Sequence, residues 1–275
     1  MLPTTEPIFM VEQLKRPSKF NMQEHHVHDF YELYYLLSGT RKCFINHSFY
    51  TMHPYDMMLI SKGALHRTTY NTTGEHERIV IYFDESWMED LYIQFGKERI
   101  QNCFNTPKLS IPVMQRTYLK DLIHRMSVEE KQQDEFSPLL IKHMFEELIV
   151  FLLRTEEQQT EVYDYTLEED ADISEAARYI CTNFHKEITL DDAAAIANIS
   201  PTYFSKKFKK TTGFGFKEYM NHIRLREATK QLVETKDSIT TVALRCGFND
   251  SNYFGDLFRK VHGISPRTYR YEHSK

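Results

Sequence analysis

Short apolar runs separated by turn residues dominate the first hundred residues of the chain. The runs YELYYLL (31–37), KCFINH (42–47), DMMLIS (56–61) and RIVIYF (78–83) have the length and the aromatic and branched content of β-strands. The turn signals SG, NH, HP and TTG separate them. Closely spaced short strands without intervening helices predict a small sandwich or barrel between about residues 20 and 110.

The spacing of apolar residues changes to a helical period between about residues 115 and 155. One helix is marked by four apolar residues, Leu119, Leu122, Ile123 and Met126. Ser137 and Pro138 form an N-cap and first-turn pair for a second helix. The apolar stripe of that helix consists of Leu140, Met144, Leu148, Phe151 and Leu152. Two interpretations remain open: the helices only pack on the sheet, or part of the stripe forms a dimer contact.

The acidic stretch TEEQQTEVYDYTLEED (155–170) has few apolar residues and is predicted to be a linker. The residues after it carry the start signals of several helices, which are Thr189, Ser200-Pro201, Ser238, Asp250 and Ser265-Pro266. A long helix is expected from about Gly215 to Glu234, and two helices are expected to stop at Gly213 and Gly263. The last hundred residues are therefore predicted to be all-α.

Two of these helices repeat one pattern, PTYFSKKFKKTTG (201–213) and SNYFGDLFRKVHG (251–263). Each follows a short predicted helix that contains a small residue, Ala194 or Ala243, and then a turn. A small residue lets two helices cross closely, and Asn198 or Gly247 suits the left-handed conformation of the turn. The order predicts two helix-turn-helix motifs, at about residues 189–212 and 239–262.

The second helix of each motif has one apolar face and one polar face. Phe204 and Phe208 are expected to anchor the first, and Phe254, Leu257 and Phe258 the second. The outward residues are Thr202, Ser205, Lys206 and Lys209 in the first helix and Asn252, Gly255, Asp256 and Arg259 in the second. A lysine cluster alone is equally consistent with a solvated helix face. The duplicated motif favours DNA, whose bases and phosphates are read by such helices.

The charge of the chain is distributed unevenly between its two parts. The formal net charge is −5, with 34 Lys+Arg and 39 Asp+Glu. From Asp172 to the end there are 17 Lys+Arg against 12 Asp+Glu, or +5, which leaves −10 for the preceding residues. A basic module in an acidic chain indicates a polyanionic partner.

The cysteine pattern and the hydropathy predict a soluble, cytoplasmic protein. The four cysteines form no CxxC pair and are expected to be reduced thiols; they are Cys43, Cys103, Cys181 and Cys246. The N-terminus lacks the features of a signal peptide. The longest apolar run, LIVFLL (148–153), is far shorter than the ~20 residues of a membrane span.

The final ~100 residues resemble the AraC/XylS family of bacterial transcription regulators. The stretch SPTYFSKKFKKTTGFGFKEYMNHIRLREA is similar to its first motif and connecting helix, and ITTVALRCGFNDSNYFGDLFRKVHGISPRTYR is similar to its second. The resemblance implies base contacts by Thr202, Ser205 and Lys206, with Ser251, Asn252 and Asp256 as their counterparts. The full set of expected DNA-binding residues is Thr202, Tyr203, Ser205, Lys206, Lys209, Lys210, Ser251, Asn252, Asp256 and Arg259. Asp256 departs from the family pattern, because many members have a basic or neutral residue at this position. A carboxylate can accept from cytosine N4, but it repels phosphates.

A histidine pattern near the N-terminus resembles the cupin barrel. His26, His28, Glu32 and Gly39 match HxHxxxExxxxxxG, and His66 follows later. Residues 26, 28, 32 and 34 share one strand face by parity, so Tyr34 joins the set. The glycine and proline of the second cupin motif are missing. Three interpretations stay open for His26, His28, Glu32, Tyr34 and His66: an effector-pocket wall, structural hydrogen bonding, or, without Tyr34, ligands of a divalent metal.

Together these features predict a multidomain α+β protein. Residues 1–112 would form a cupin-like, effector-sensing β-barrel, 113–160 a helical dimerisation and linker segment, and 161–275 an all-α double helix-turn-helix domain. The predicted function is sequence-specific DNA-binding transcription regulation, responsive to a small molecule such as a sugar. Expected partners are double-stranded promoter DNA, the effector, a second copy of the chain and, for an activator, RNA polymerase. No catalytic residue and no cofactor is predicted; the alternative is a metal-dependent cupin enzyme with an accessory helical domain.

Overall fold

The computed structural model describes residues 9–16, 27–70, 74–159 and 170–273. The chain divides into two compact units, Met1–Leu167 and Glu168–Lys275. In the first unit the described residues form strands and helices, and in the second they form helices. The coarse prediction of a mixed first part and a helical second part is therefore confirmed.

The described part of the first unit contains eight strands. They are β1 (Phe9–Arg16), β2 (Tyr31–Ser38), β3 (Arg41–Ile45), β4 (Ser48–Met52), β5 (Asp56–Ile60), β6 (His66–Tyr70), β7 (His76–Phe83) and β8 (Lys108–Ser110). One antiparallel sheet has the order β1-β7-β2-β5-β8, and the other has the order β4-β3-β6. Within the described residues these two sheets do not close into the predicted barrel. The runs that predicted β2, β3, β5 and β7 are strands, whereas β1, β4, β6 and β8 were not predicted.

Strand β2 is buried on both faces, which explains its nearly continuous apolar sequence. Leu33 and Tyr35 point into a core shared with the helices of this unit. Tyr34 and Leu36 point into a second core, to which both sheets contribute. The even-numbered positions of β2 therefore line the interior between the two sheets, and Glu32 lies on the same face.

The first unit also contains α1 (Glu89–Phe95), α2 (Lys97–Cys103), α3 (Arg116–Gln132) and α4 (Ser137–Gln158). The four apolar residues that predicted α3 are all buried, so that face is confirmed. In α4 the prediction was partly wrong, because Leu140 is 46% exposed while its neighbour Ile141 is buried. Ser137 is also the first helical residue and not the cap, since the carboxylate of Asp134 accepts from the backbone N–H of Phe136 and of Ser137. Residues 155–158 of the predicted linker belong to α4.

The second unit is built from helices with strong local start and stop signals. They are α5 (Ala171–Asn183), α6 (Leu190–Ile196), α7 (Pro201–Thr212), α8 (Phe216–Glu234), α9 (Ile239–Arg245), α10 (Ser251–His262) and α11 (Pro266–His273). The side chains of Thr189, Ser200, Ser238 and Asp250 cap α6, α7, α9 and α10 as the sequence predicts. Helix α5 lies in the region that was predicted to be helical, although no start signal was identified for it.

Among the helices in the described ranges, none combines the length and the apolar character needed to cross a membrane.

Candidate DNA-binding surface and ligand site

Helix α7 is fixed in its unit by one face and presents the other to solvent. Ser200 caps it by accepting from the backbone N–H of Tyr203 at 3.4 Å. Phe204 and Phe208 are fully buried and in contact, with ring centroids 5.2 Å apart. The six residues that the sequence analysis assigned to DNA in this helix are all exposed: Thr202, Tyr203, Ser205, Lys206, Lys209 and Lys210.

The turn before each of these helices has the same geometry in both motifs. Asn198 has a φ of 53° and Gly247 a φ of 84°, both left-handed as predicted. The backbone N–H of Ile199 donates to Ala194 at 3.1 Å, and the backbone N–H of Phe248 donates to Ala243 at 3.0 Å. The sequence pattern that occurs twice therefore corresponds to a backbone hydrogen bond across the turn that also occurs twice.

Gly247 is required for space as well as for conformation. A Cβ at this position would lie 2.5 Å from the carbonyl oxygen of Phe184 and 2.9 Å from Nε of Arg224. Arg224 itself donates to the carbonyls of Phe184 and Lys186 at 2.9 Å each. The turn of the second motif is thus packed against the end of α5.

Helix α10 repeats the division of faces with a less basic outward side. Phe254 and Phe258 are fully buried. Of the predicted DNA-binding residues, Asn252, Asp256 and Arg259 are exposed and Ser251 is half-buried. The hydroxyl of Tyr253 accepts a hydrogen bond from the amide of Asn221 on α8 at 2.9 Å, which ties α10 to the connecting helix. This face offers amide, hydroxyl, carboxylate and guanidinium groups for base edges and phosphates.

In the first unit, the structure brings His28, Glu32 and His66 together. Nε2 of His28 lies 3.1 Å from Oε2 of Glu32, and Nε2 of His66 lies 3.4 Å from the same oxygen. The Nδ1 atoms lie 2.8 Å from the Phe30 carbonyl and 2.9 Å from the Ala64 carbonyl, respectively. A carbonyl only accepts, so each Nδ1 carries a proton and each Nε2 is directed at the carboxylate. His26 lies outside the described residues.

Two opposing effects set the ionisation of this group. Burial opposes the charge on Glu32, but hydrogen bonds from His28 and His66 outweigh it, so the pKa of Glu32 lies well below its usual range. Burial also opposes protonation of His66, but its hydrogen bond and attraction to Glu32 raise its pKa. The arrangement is a buried carboxylate that stabilises a proton on a facing imidazole.

The same three side chains also fit a divalent cation. Their ligand atoms all lie within 4.8 Å of one another. A tetrahedral ion with bonds of about 2.1 Å needs ligand atoms roughly 3.4 Å apart, close to the two distances to Glu32. Two imidazoles and one carboxylate, with their Nδ1 atoms fixed by carbonyls, are a usual ligand set.

Three buried polar side chains in the interior between the sheets were not predicted from the sequence. Arg41, His76 and Arg78 are only 2%, 1% and 6% exposed. His76 and Arg78 alternate with Val80 on one face of β7, which is the signal that the sequence carries for them. Tyr34, predicted as an effector contact, lies beside them: the guanidinium carbon of Arg78 is 5.0 Å from the centroid of its ring.

The duplicated motif with exposed polar helix faces defines a helix-turn-helix DNA-binding protein. Comparison with protein families matches residues 193–272 to a model described as a helix-turn-helix domain and residues 32–165 to one described as the ExsA N-terminal regulatory domain. The chain belongs to the AraC/XylS family and is a sequence-specific DNA-binding transcription regulator.

Individual relatives are regulators by name. The chain is 25% identical to the HTH-type transcriptional activator RhaR of Mannheimia succiniciproducens, over 89% of this chain and 86% of that protein. It is 44% identical to the HTH-type transcriptional regulator YijO of Escherichia coli, over 34% of this chain and 32% of that protein. A crystal structure of ToxT from Vibrio cholerae aligns over 96% of this chain and 98% of its own, with 15% identity and a TM-score of 0.38.

Proposed function

We propose that the chain is an effector-controlled transcription activator that binds promoter DNA as a homodimer. The observation that carries the proposal is the convergence of half-buried His28 with buried Glu32 and His66 in a unit separate from the helix-turn-helix unit. Buried polar groups that face each other in a sensor unit suit recognition of a small polar ligand. The name of the relative RhaR, a transcriptional activator, supports the proposal of activation. An activator would contact RNA polymerase, and the protein would act in the cytoplasm.

Each of the three segments predicted from the sequence has one role in the proposed function. Residues 1–112 would form the cupin-like sensor, with His28, Glu32, Tyr34 and His66 lining the effector pocket together with His26. Residues 113–160 would carry the dimer contact, for which exposed Leu140 on α4 is available. Residues 161–275 would bind DNA through the ten residues proposed for α7 and α10.

An effector acts on DNA binding only through different affinities for two arrangements of the protein. The test is fluorescence anisotropy with a duplex that the protein selects from a random pool, with and without each of a set of small molecules at constant ionic strength. We expect binding that weakens steeply with salt and changes about 5- to 150-fold with one class of molecule. Salt-independent binding, or affinity that no class changes, would reject the proposal.

The second candidate is a metal-dependent cupin enzyme with an accessory helical domain. It is favoured by the ligand spacing of His28, Glu32 and His66. Elemental analysis of protein purified without chelators separates the two. Stoichiometric iron, manganese or zinc that is lost in Glu32→Ala would favour the enzyme. Metal-free protein with full effector response supports the regulator without a catalytic centre.

A further inference from the structure

Two buried guanidinium groups lie at one end of the interior between the sheets of the first unit. Arg78 on β7 lies opposite Leu36 of β2, and Leu36 belongs to the core to which both sheets contribute. Directly opposed residues of antiparallel strands project to the same face, so Arg78 faces this interior. Arg41 on β3 lies opposite Met52, which belongs to the same core. Both positive charges are therefore directed between the sheets.

The charge on Arg78 has no carboxylate within ion-pair distance among the described residues. Its contact is the aromatic ring of Tyr34. The Nε atom of Arg78 and both ring nitrogens of His76 are buried and make no hydrogen bond within the described part of the chain. Three polar nitrogens are thus held in one region with hydrogen-bonding capacity left over for a ligand.

The surroundings of His76 are electropositive. Burial, followed by the charges of Arg41, Arg78 and Arg16, lowers the pKa of His76 to about 4. His76 is therefore neutral at pH 7 and adds no positive charge. An arginine cannot respond in this way, because it stays protonated in proteins. The charge on Arg78 persists, and a buried charge without a counterion is costly.

We propose that Arg41, Arg78, His76 and Tyr34, called here the arginine site, bind a small organic anion through its carboxylate or phosphate group, and that this anion is the effector. The inference rests on the proposed effector control and narrows the chemical class of the effector. A guanidinium fork matches the two oxygens of such a group. The Tyr34 hydroxyl and a neutral His76 ring each supply one further N–H or O–H donor.

No carboxylate in the described part of the chain pairs with Arg78, and a neutral sugar would supply none, whereas an acid or phosphate ester of similar size would neutralise the charge. The distance between the arginine site and the His28–Glu32–His66 group also bears on the size of the effector. Glu32 and Leu36, the partner of Arg78, are four residues apart along β2, roughly 13 Å. An effector that contacts both the arginine site and the His28–Glu32–His66 group would therefore span about this length.

The test uses the full-length protein and the two smallest probes of the class, acetate and inorganic phosphate, with sodium chloride at equal ionic strength and glucose as the neutral probe. Thermal unfolding should shift upward by about 3–6 °C at ten times the dissociation constant of at least one anion. Arg78→Met should abolish this shift. Arg125→Met, which removes an exposed arginine from α3, should retain it.

A second variant distinguishes loss of anion binding in Arg78→Met from misfolding of that variant. Arg78→Lys keeps the charge but loses the fork, and it should keep the anion-dependent shift with roughly 10-fold weaker affinity. An equal shift in the wild type and Arg78→Met, or no shift with either anion beyond that of chloride, would overturn the proposal.

A separate measurement, of DNA affinity, tests whether the bound anion is the effector. The anion that raises the melting temperature should change affinity for the selected duplex at least about 5-fold in the wild type and not in Arg78→Met. Stabilisation with unchanged DNA affinity would overturn the effector assignment. Failure of the wild type to bind any duplex would instead reject the proposed regulator, and the melting shifts alone would then decide the anion site.

Discussion

Nζ of Lys207 on α7 donates to both carboxylate oxygens of Asp172 on α5, at 2.8 and 2.7 Å. Both side chains are partly buried, so this lysine connects two helices within the unit. Lys206, Lys209 and Lys210 on the same helix are exposed. The basic cluster of α7 therefore contains one lysine that is paired with Asp172 and three that are exposed.

Replacing single lysines of α7 should separate base reading from phosphate contact. Lys206→Ala should cost about 1–3 kcal/mol on the selected duplex and relax sequence preference at one position. Lys209→Ala or Lys210→Ala should weaken binding to selected and random duplexes alike and reduce the salt slope by about 1. The measurement is anisotropy titration over a salt series.

Lys207→Ala is the matched control, because it removes the same charge from the face that contacts α5. It should lower stability slightly and leave the salt slope closest to that of the wild type. An equal loss on both duplexes in Lys206→Ala would remove Lys206 from the base-reading set.

The buried phenylalanines of α7 and α10 should dominate the stability of the second unit. Phe208→Ala and Phe258→Ala each leave a cavity at a fully buried position and should cost about 3–5 kcal/mol. Denaturant unfolding measures the loss, and DNA binding should fall with it. Tyr271→Ala, at an 87% exposed ring on α11, is the control and should leave the midpoint unchanged. Unchanged unfolding in the phenylalanine variants would refute this assignment of faces.

The first and last residues of α7 and α10 could be predicted from the sequence because their start and stop signals act locally. Ser200 and Gly213 act through hydrogen bonds and dihedral angles within a few residues, which a sequence displays directly. The short helices α1 and α2 have too few turns for an apolar period to be recognised. Helix α4 was misread by one position at Leu140, since the neighbouring Ile141 is also apolar and only packing decides between them.

The candidate ligand site likewise contains features that the local sequence predicts and features that it does not. Strand parity predicted that Glu32 and Tyr34 share a face, because both lie on β2. The approach of Arg78 to Tyr34 depends on the register between β2 and β7, which are far apart in sequence. Long-range register is fixed by the packing of whole sheets, so no local pattern reports it.

The His28–Glu32–His66 group should give the first unit a defined dependence on pH. The lowered pKa of Glu32 contributes stability above about pH 4.5 that is lost as pH falls. The raised pKa of His66 contributes stability below about pH 6.5 that is lost as pH rises through its folded value. The wild type should therefore exceed Glu32→Gln in melting temperature most strongly between pH 4.5 and 6.5.

Melting temperatures recorded from about pH 4 to about pH 9 check this window. Both proteins retain His76, so its titration cancels in the difference. A difference between wild type and Glu32→Gln that stays constant across the range would show that the carboxylate charge is not coupled to His66.

His28→Ala should separate effector response from DNA binding. The side chain lies in the first unit, so the variant should stay folded and bind the selected duplex while it loses the effector-induced change in affinity. His53→Ala, at an exposed position of the same unit, is the control. If the group instead holds metal, chelation of the wild type should reproduce the variant and added metal should reverse it. A folded His28→Ala protein with normal response would exclude His28 from the pocket.

The proposed dimer should depend on the exposed apolar face of α4. Leu140→Arg places a charge at a 46% exposed position and should convert a dimer to a monomer in light scattering at micromolar concentration. Binding to a two-site duplex should weaken about 10²- to 10⁴-fold, because the second contact is no longer tethered to the first. Ile93→Arg, at an 83% exposed position on α1, should remain dimeric. A monomeric wild type would contradict the proposal.

The packing of Gly247 against the Phe184 carbonyl has a consequence for the DNA sequences that this protein can recognise. The orientation of α10 is set by contact with the end of α5 as well as by the connecting helix α8, because Arg224 of α8 donates to the same carbonyl. A side chain at position 247 would tilt α10 as a rigid body instead of merely loosening a turn. Changes at this turn would therefore alter the angle between α7 and α10, without changing any of the residues proposed to contact DNA.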